Sequence, residues 1–194
     1  NNVYTNYLAR WNLLYVKKKI DELKADNRSL YKDVLEKTQF SDEEAVELQS
    51  IADKIYLPKM AGRNILEQFE GYFELKDCII EKYDENDWPI RPEILKELTV
   101  DKTSLIKQAD VVMLMYLLEN EFTAEEIKDN YHYYEKRTLH GSSLSPAIYS
   151  IVGLRTGDKG KAYRYLRRAA FIDLLNLQKN TREGIHAANA GGVW

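Results

Sequence analysis

The chain has 194 residues, of which 44 % are hydrophobic and 30 % charged, with a net charge of −3. That is enough apolar material for one sizeable core, and nine Gly and four Pro argue against a loop-rich chain. The acidic balance disfavours a general nucleic-acid binder, and the longest apolar run, Val111–Leu118, is too short to span a bilayer. A single cysteine, Cys78, permits no internal disulfide and is expected as a small core residue in a reducing, cytoplasmic setting.

Apolar residues recur at helical spacing from Asn1 to about Asp26, through Tyr4, Leu8, Trp11, Tyr15, Ile20 and Leu23. The pattern is running by Val3 with no cap evident before it. A second helix is expected over Arg28–Lys37. Ser41 and Glu44 then form a capping box ahead of the stripe Ala45, Leu48, Ile51, Ala52 and Ile55, and Pro58 closes it. Glu43 and Glu44 suit a helix dipole better than catalysis. The basic runs Lys17–Lys19 and Arg167–Arg168 read as solvated helix faces.

Asn64–Trp88 lacks a helical period and is expected to be irregular, its acidic end Glu81–Asp87 forming a solvated loop. Pro89 and Pro92 hold an extended piece before a short helix at Glu93–Leu98. Thr103–Leu118 is apolar on most sides and is expected as one buried helix, with Lys107, Gln108 and Asp110 in its exposed beginning. Thr123 and Glu126 make a second capping box for a helix through Tyr134. Pro146 falls in the first turn of the next helix, and Gly157 ends it. Asp158–Gln178 follows, with Ala162, Tyr165, Leu166, Ala169, Ala170, Ile172 and Leu175 facing inward. After a polar turn at Asn180–Glu183, the small residues of Ala187–Gly192 permit close approach to a helix or a ligand. No run of strands is predicted, so the class is all-α.

Polar residues that can do chemistry gather at helix beginnings: Lys107, Gln108, His140, Ser142, Ser143 and His186. Gln108 both donates and accepts hydrogen bonds, and Lys107 supplies a charged donor, which suits a sugar ring or an anion. Ser142 and Ser143 precede a helix start, where they are either an ordinary N-cap or part of an anion seat. The three histidines, His132, His140 and His186, lack metal-ligand spacing, so no metal or cofactor is expected.

Four segments of this chain, NNVYTNYLARWNL at Asn1, IKQADVVMLMYLL at Ile106, YYEKRTLHGSSLSPAIYS at Tyr133 and NTREGIHAANAGGVW at Asn180, resemble the inverting disaccharide phosphorylases that act on maltose, kojibiose or trehalose. The resemblance implies an (α/α)6 barrel, of which residues 1–194 would be the C-terminal half, truncated at both ends. An N-terminal β-sandwich and a C-terminal β domain would lie outside the chain. It further implies that Lys107 and Gln108 bind the glucosyl unit at the bond that breaks, and that Ser142, Ser143 and His186 hold phosphate. The implied reaction is inverting phosphorolysis of an α-linked glucosyl disaccharide, kojibiose favoured, to β-glucose 1-phosphate and a free sugar, inorganic phosphate being a substrate. The general-acid Glu would lie upstream of Asn1, so this segment alone is expected to be inactive. Gln68–Tyr72 would help read the acceptor sugar, and the whole protein is expected to be a homodimer without membrane or nucleic-acid partners.

Two alternatives stand beside this reading. One is an inverting hydrolase of the same fold, with Glu70, Asp110 or Glu135 as the base that activates water. The other is a helical scaffold with no chemistry.

Overall fold

A computed structural model describes residues 1–60, 62–85 and 88–194; Asn86 and Asp87, in the expected acidic loop, lie outside the described residues. The chain divides into two compact units, Asn1–Pro58 and Lys59–Trp194. Helices dominate both, and among the described residues the only β structure is isolated bridges.

The first unit holds α1 (Val3–Asp26), α2 (Arg28–Thr38) and α3 (Asp42–Lys54). Unlike the sequence expectation, α1 does have a cap: the Asn2 side chain accepts from the Thr5 N–H at 3.2 Å. Asn27 serves the start of α2 in the same way, so one residue ends one helix and opens the next. The predicted capping box is formed in full, with Ser41 Oγ taking the Glu44 N–H and the Glu44 carboxylate taking the Ser41 N–H. Ala45 and Ala52 are buried as expected, whereas Ile51 of the same predicted stripe is exposed.

The second unit holds α4 (Asp110–Leu117), α5 (Ala124–Glu135), α6 (Ser145–Arg155), α7 (Lys159–Phe171) and α8 (Ala187–Val193). Its core is rich in tyrosine: Tyr72, Tyr131, Tyr134 and Tyr149 are each essentially inaccessible to solvent. Buried tyrosines need partners for their hydroxyls. The Tyr134 hydroxyl donates to the Leu66 carbonyl and that of Tyr72 to the Ser104 carbonyl, each at 2.5 Å. These bonds pin the irregular 64–80 segment to α5 and to the 103–109 stretch. Cys78 in that segment is only half-buried and is not the core residue expected. The expected helix at Glu93–Leu98 is a single 3-10 turn, Glu93–Lys96.

α6 and α7 form a tight antiparallel hairpin. Gly157, at φ +89°, lets the Gly157 and Asp158 N–H groups reach the Leu154 and Gly153 carbonyls. Asp158 then caps α7 through the Lys161 N–H. α7 stops at Phe171, seven residues short of the expected Gln178; the chain then runs on in turns through the left-handed Asn176, with Leu174 and Leu175 exposed. Leu166 and Ala170 are likewise exposed, while Ala162, Tyr165, Ala169 and Ile172 are buried as expected. Arg168 is not a solvated charge: its guanidinium stacks 3.7 Å from the Trp88 ring centroid. The small-residue run is helical, and its close neighbour is a helix. A Cβ on Gly192 would stand 2.9 Å from that of Ala147 in α6.

The largest departure lies at 103–109. The predicted helix begins only at Asp110, because 102–104 pair with Lys76 and 106–107 with 137–141. A run that is apolar on every side satisfies either conformation, and here a backbone ladder supplies the hydrogen bonds that a helix would have made.

Candidate functional site

That ladder builds the site. The Ile106 N–H donates to the Arg137 carbonyl, and the Leu139 N–H to that of Ile106, each at 2.8 Å; the Gly141 N–H donates to the Lys107 carbonyl at 2.9 Å. Two sequence islands thirty residues apart are thereby laid side by side, with Lys107-Gln108 at the edge of the Gly141–Ser143 loop. Gly141 suits this closeness: a Cβ there would lie 3.2 Å from Lys107 Cγ and would push the lysine side chain by a few tenths of an ångström.

Arg137 anchors the ladder from below. Its guanidinium bonds both oxygens of Asp77 and the Tyr133 carbonyl, and stacks 3.9 Å from the Tyr133 ring centroid. His140 anchors the loop. Its backbone is left-handed at φ +50°, and its ring is fully buried among Trp88, Tyr149 and Tyr165. Burial, assisted by the nearby Arg168 charge, pushes its pKa down to about 3, so the ring is neutral at physiological pH. Nε2 meets the Tyr165 hydroxyl at 3.2 Å, and that hydroxyl donates to the buried Glu135, which also pairs with Lys161 at 2.5 Å.

Beyond His140 the loop opens to solvent. Ser142 and Ser143 are partly exposed, and neither is the N-cap of α6: Leu144 holds that position and makes no side-chain cap. Pro146 in the first turn has no N–H, and the Ser145 N–H goes to the Ser142 carbonyl at 3.3 Å, so the two hydroxyls are the groups this loop offers to an anion. Lys107 and Gln108 are also exposed, before the helix start rather than within its first turn. Gln108 Nε2 donates to Asp110 Oδ1 at 3.0 Å, and Gln68 Nε2 reaches Asp110 Oδ2 at 3.4 Å.

His186 stands at the N-cap of α8. Its hydrogen bonds go to Asp173, at 2.5 Å from Nδ1 and 2.8 Å from the backbone N–H, and to Asn180, rather than to the serine loop. The His186 side chain and backbone together hold the Asp173 carboxyl below its usual range. α8 in turn packs on α6 at Gly192 and on α7 through Asn189, which donates to the Ala169 carbonyl. The structure thus joins the Lys107 backbone to the serine loop at Gly141, carries Gln108 next to it in sequence, and ties His186 to α6 and α7 through α8.

Of the carboxylates weighed as a base, Asp110 is engaged by two glutamines, and Glu135 is 2 % exposed and shared by Lys161 and Tyr165. Glu70 is exposed in the QFEGY segment. Gln68 is expected from the sequence as part of an acceptor loop, but its pairing with Asp110, and those of Asp173 with His186 and Tyr165 with His140, have no sequence-spacing signal. A cavity of about 770 Å³ lies elsewhere, lined by Ile79, Ile90 and Leu95 together with charged residues such as Lys82, Arg91 and Glu93, and it contains none of the site residues. Among the described residues no cluster of His, Cys, Asp and Glu is suited to a metal ion, and no helix is long and apolar enough to cross a membrane.

Comparison with known proteins gives a consistent result. Residues 1–194 match the model of the glycosyl hydrolase family 65 central catalytic domain. The chain is 48 % identical, over its whole length, to a kojibiose phosphorylase of Caldanaerobacter subterraneus subsp. tengcongensis, and 37 % identical to an alpha,alpha-trehalose phosphorylase of Thermoanaerobacter brockii. It spans about a quarter of the length of each, 25 %. A solved structure titled "Putative kojibiose phosphorylase from human microbiome" superposes on all of this chain with a TM-score of 0.79 and 31 % identity, 25 % of that protein being covered. The all-α architecture is thus that of a segment of an all-α barrel.

Proposed function

From a chain that belongs to glycosyl hydrolase family 65, we propose that this segment supplies the sugar and phosphate seats of a disaccharide phosphorylase. The observation that carries the reading is the backbone ladder, which sets Lys107-Gln108 beside the Gly141–Ser143 loop. Lys107 and Gln108 offer donors and an acceptor to a glucosyl ring. Ser142 and Ser143 offer hydroxyls to phosphate, with His186, oriented by Asp173, as the third residue of the seat.

In the proposed reaction a phosphate oxygen bonds to the anomeric carbon from the face opposite the departing sugar. The glycosidic bond breaks, its oxygen takes a proton from a general-acid Glu outside this segment, and inversion gives β-glucose 1-phosphate. Phosphate is already an anion, so no base is needed to activate the nucleophile, whereas an inverting hydrolase requires one. The engagement of Asp110 and the burial of Glu135 support phosphate over water. Higher similarity to the kojibiose enzyme than to the trehalose enzyme supports kojibiose as the disaccharide.

The test is to assay the whole protein that carries this segment with kojibiose, maltose, trehalose and nigerose, each with and without phosphate. Glucose 1-phosphate formed from kojibiose only when phosphate is present is the expected result. Free glucose released equally without phosphate would transfer the reading to a hydrolase. The isolated 194-residue segment is expected to show no turnover.

A further inference from the structure

Resting on that reading, we propose that Asp110 is a positioning residue for the sugar seat. It aims Gln108, and Gln68 buttresses it from behind. An amide side chain presents a donor at one end and an acceptor at the other, and a free one rotates to offer either. Here one N–H of Gln108 Nε2 is given to Asp110 Oδ1 at 3.0 Å, which fixes the amide's orientation and leaves its carbonyl Oε1, with the second N–H, in a set place for a sugar hydroxyl. Asp110 is itself fixed. It is the first residue of α4, where the helix dipole favours a carboxylate, and its second oxygen takes Gln68 Nε2 at 3.4 Å.

Gln68 is 8 % exposed, and its Oε1 is buried with no hydrogen-bond partner. Folding alone does not explain such an orphan, because buried polar atoms are nearly always paired. It follows if the donor end of Gln68 is required at Asp110. The segment holding Gln68 is rigid: the Leu66 N–H donates to Asn130 at 2.9 Å and the Leu66 carbonyl accepts from Tyr134 at 2.5 Å. Residues of the QFEGY segment thus act on the sugar through a carboxylate relay, without Gln68 touching the ligand.

The test uses the whole protein and compares the KM for disaccharide with the KM for phosphate. Asp110→Ala releases both amides and is expected to raise the disaccharide KM about 10-fold, the effect of losing a charge-assisted hydrogen bond, and to leave the phosphate KM unchanged. Asp110→Asn is expected to stay near the native value: its carbonyl still accepts from Gln108, and Gln68 can turn its orphan Oε1 toward the new N–H. An unchanged disaccharide KM in D110A, equal losses in D110A and D110N, or disaccharide and phosphate KM rising together would overturn the proposal. Should D110A not fold, Gln68→Leu decides: a rise of about 3-fold in disaccharide KM alone supports the relay, and no change refutes it. If the whole protein turns over no disaccharide, the phosphorylase reading fails separately. Glucose binding by calorimetry then reads the geometry, with D110A expected to weaken it by the same factor.

Discussion

The hydroxyl of Tyr131 in α5 stands 2.6 Å from where a Cβ on Gly153 of α6 would lie. The two helices meet because residue 153 has no side chain, and the Tyr131 hydroxyl is buried there without a hydrogen-bond partner. Gly153→Ala is expected to cost about 1–3 kcal/mol, the range for overpacking a core, despite the better helix propensity of alanine. Tyr131→Phe in the same chain removes the nearest atom and should recover part of the loss. Thermal unfolding of the whole protein measures both, and a G153A variant as stable as native would show that the helices part freely.

His140 makes stability depend on pH. Its ring stays neutral in the fold down to about pH 3, whereas in the unfolded chain it takes up a proton below the ordinary value of 6.5. The unfolded state therefore binds the extra proton between these limits. Stability from this group is complete above 6.5 and falls progressively as pH drops toward 3, by about 2 kcal/mol at pH 5. His140→Asn, which tolerates the left-handed backbone, should flatten the dependence of the melting temperature on pH between 7 and 5. An unchanged slope would mean that another group carries it.

Ser142→Ala and Ser143→Ala are each expected to raise the phosphate KM of the whole protein, by about 10-fold if a hydrogen bond to the dianion is lost, with the disaccharide KM unmoved. Asp173→Asn should act in the same direction by loosening His186. Equal rises in both KM values would place the serines at the sugar.

Arg137→Lys keeps the charge but loses the forked contact with Asp77 and the stack on Tyr133. A loss of about 1–2 kcal/mol is expected, because an ammonium cannot reproduce that planar geometry. Since Arg137 underlies the ladder, amide exchange at Ile106 and Leu139 should quicken in the variant. Exchange that stays at the native rate would mean that the ladder holds without it.

Short-range signals translated well into structure. Both capping boxes form as spaced, and Gly157 ends α6 through the backbone bonds its position implies. Where the sequence misled, a long-range partner decided. Ile106 reads as helix from its own neighbourhood, but its hydrogen bonds go to Arg137 and Leu139. Gln68 and Asp110 could not be paired by spacing, since 42 residues separate them. His140 was set with the polar site residues, yet it is the fully buried anchor of the loop, which only its tertiary environment reveals.

The ladder between 106–107 and 137–141 also bears on how such a site can change over time. Its contacts are main-chain to main-chain, so they survive almost any side-chain exchange except proline at a donor or bulk at Gly141. On the proposed reading, the spacing between nucleophile and anomeric carbon is inherited with the backbone. The residues that choose the sugar are then free to drift without detuning the chemistry, and new substrate preferences can evolve on an unaltered reaction centre.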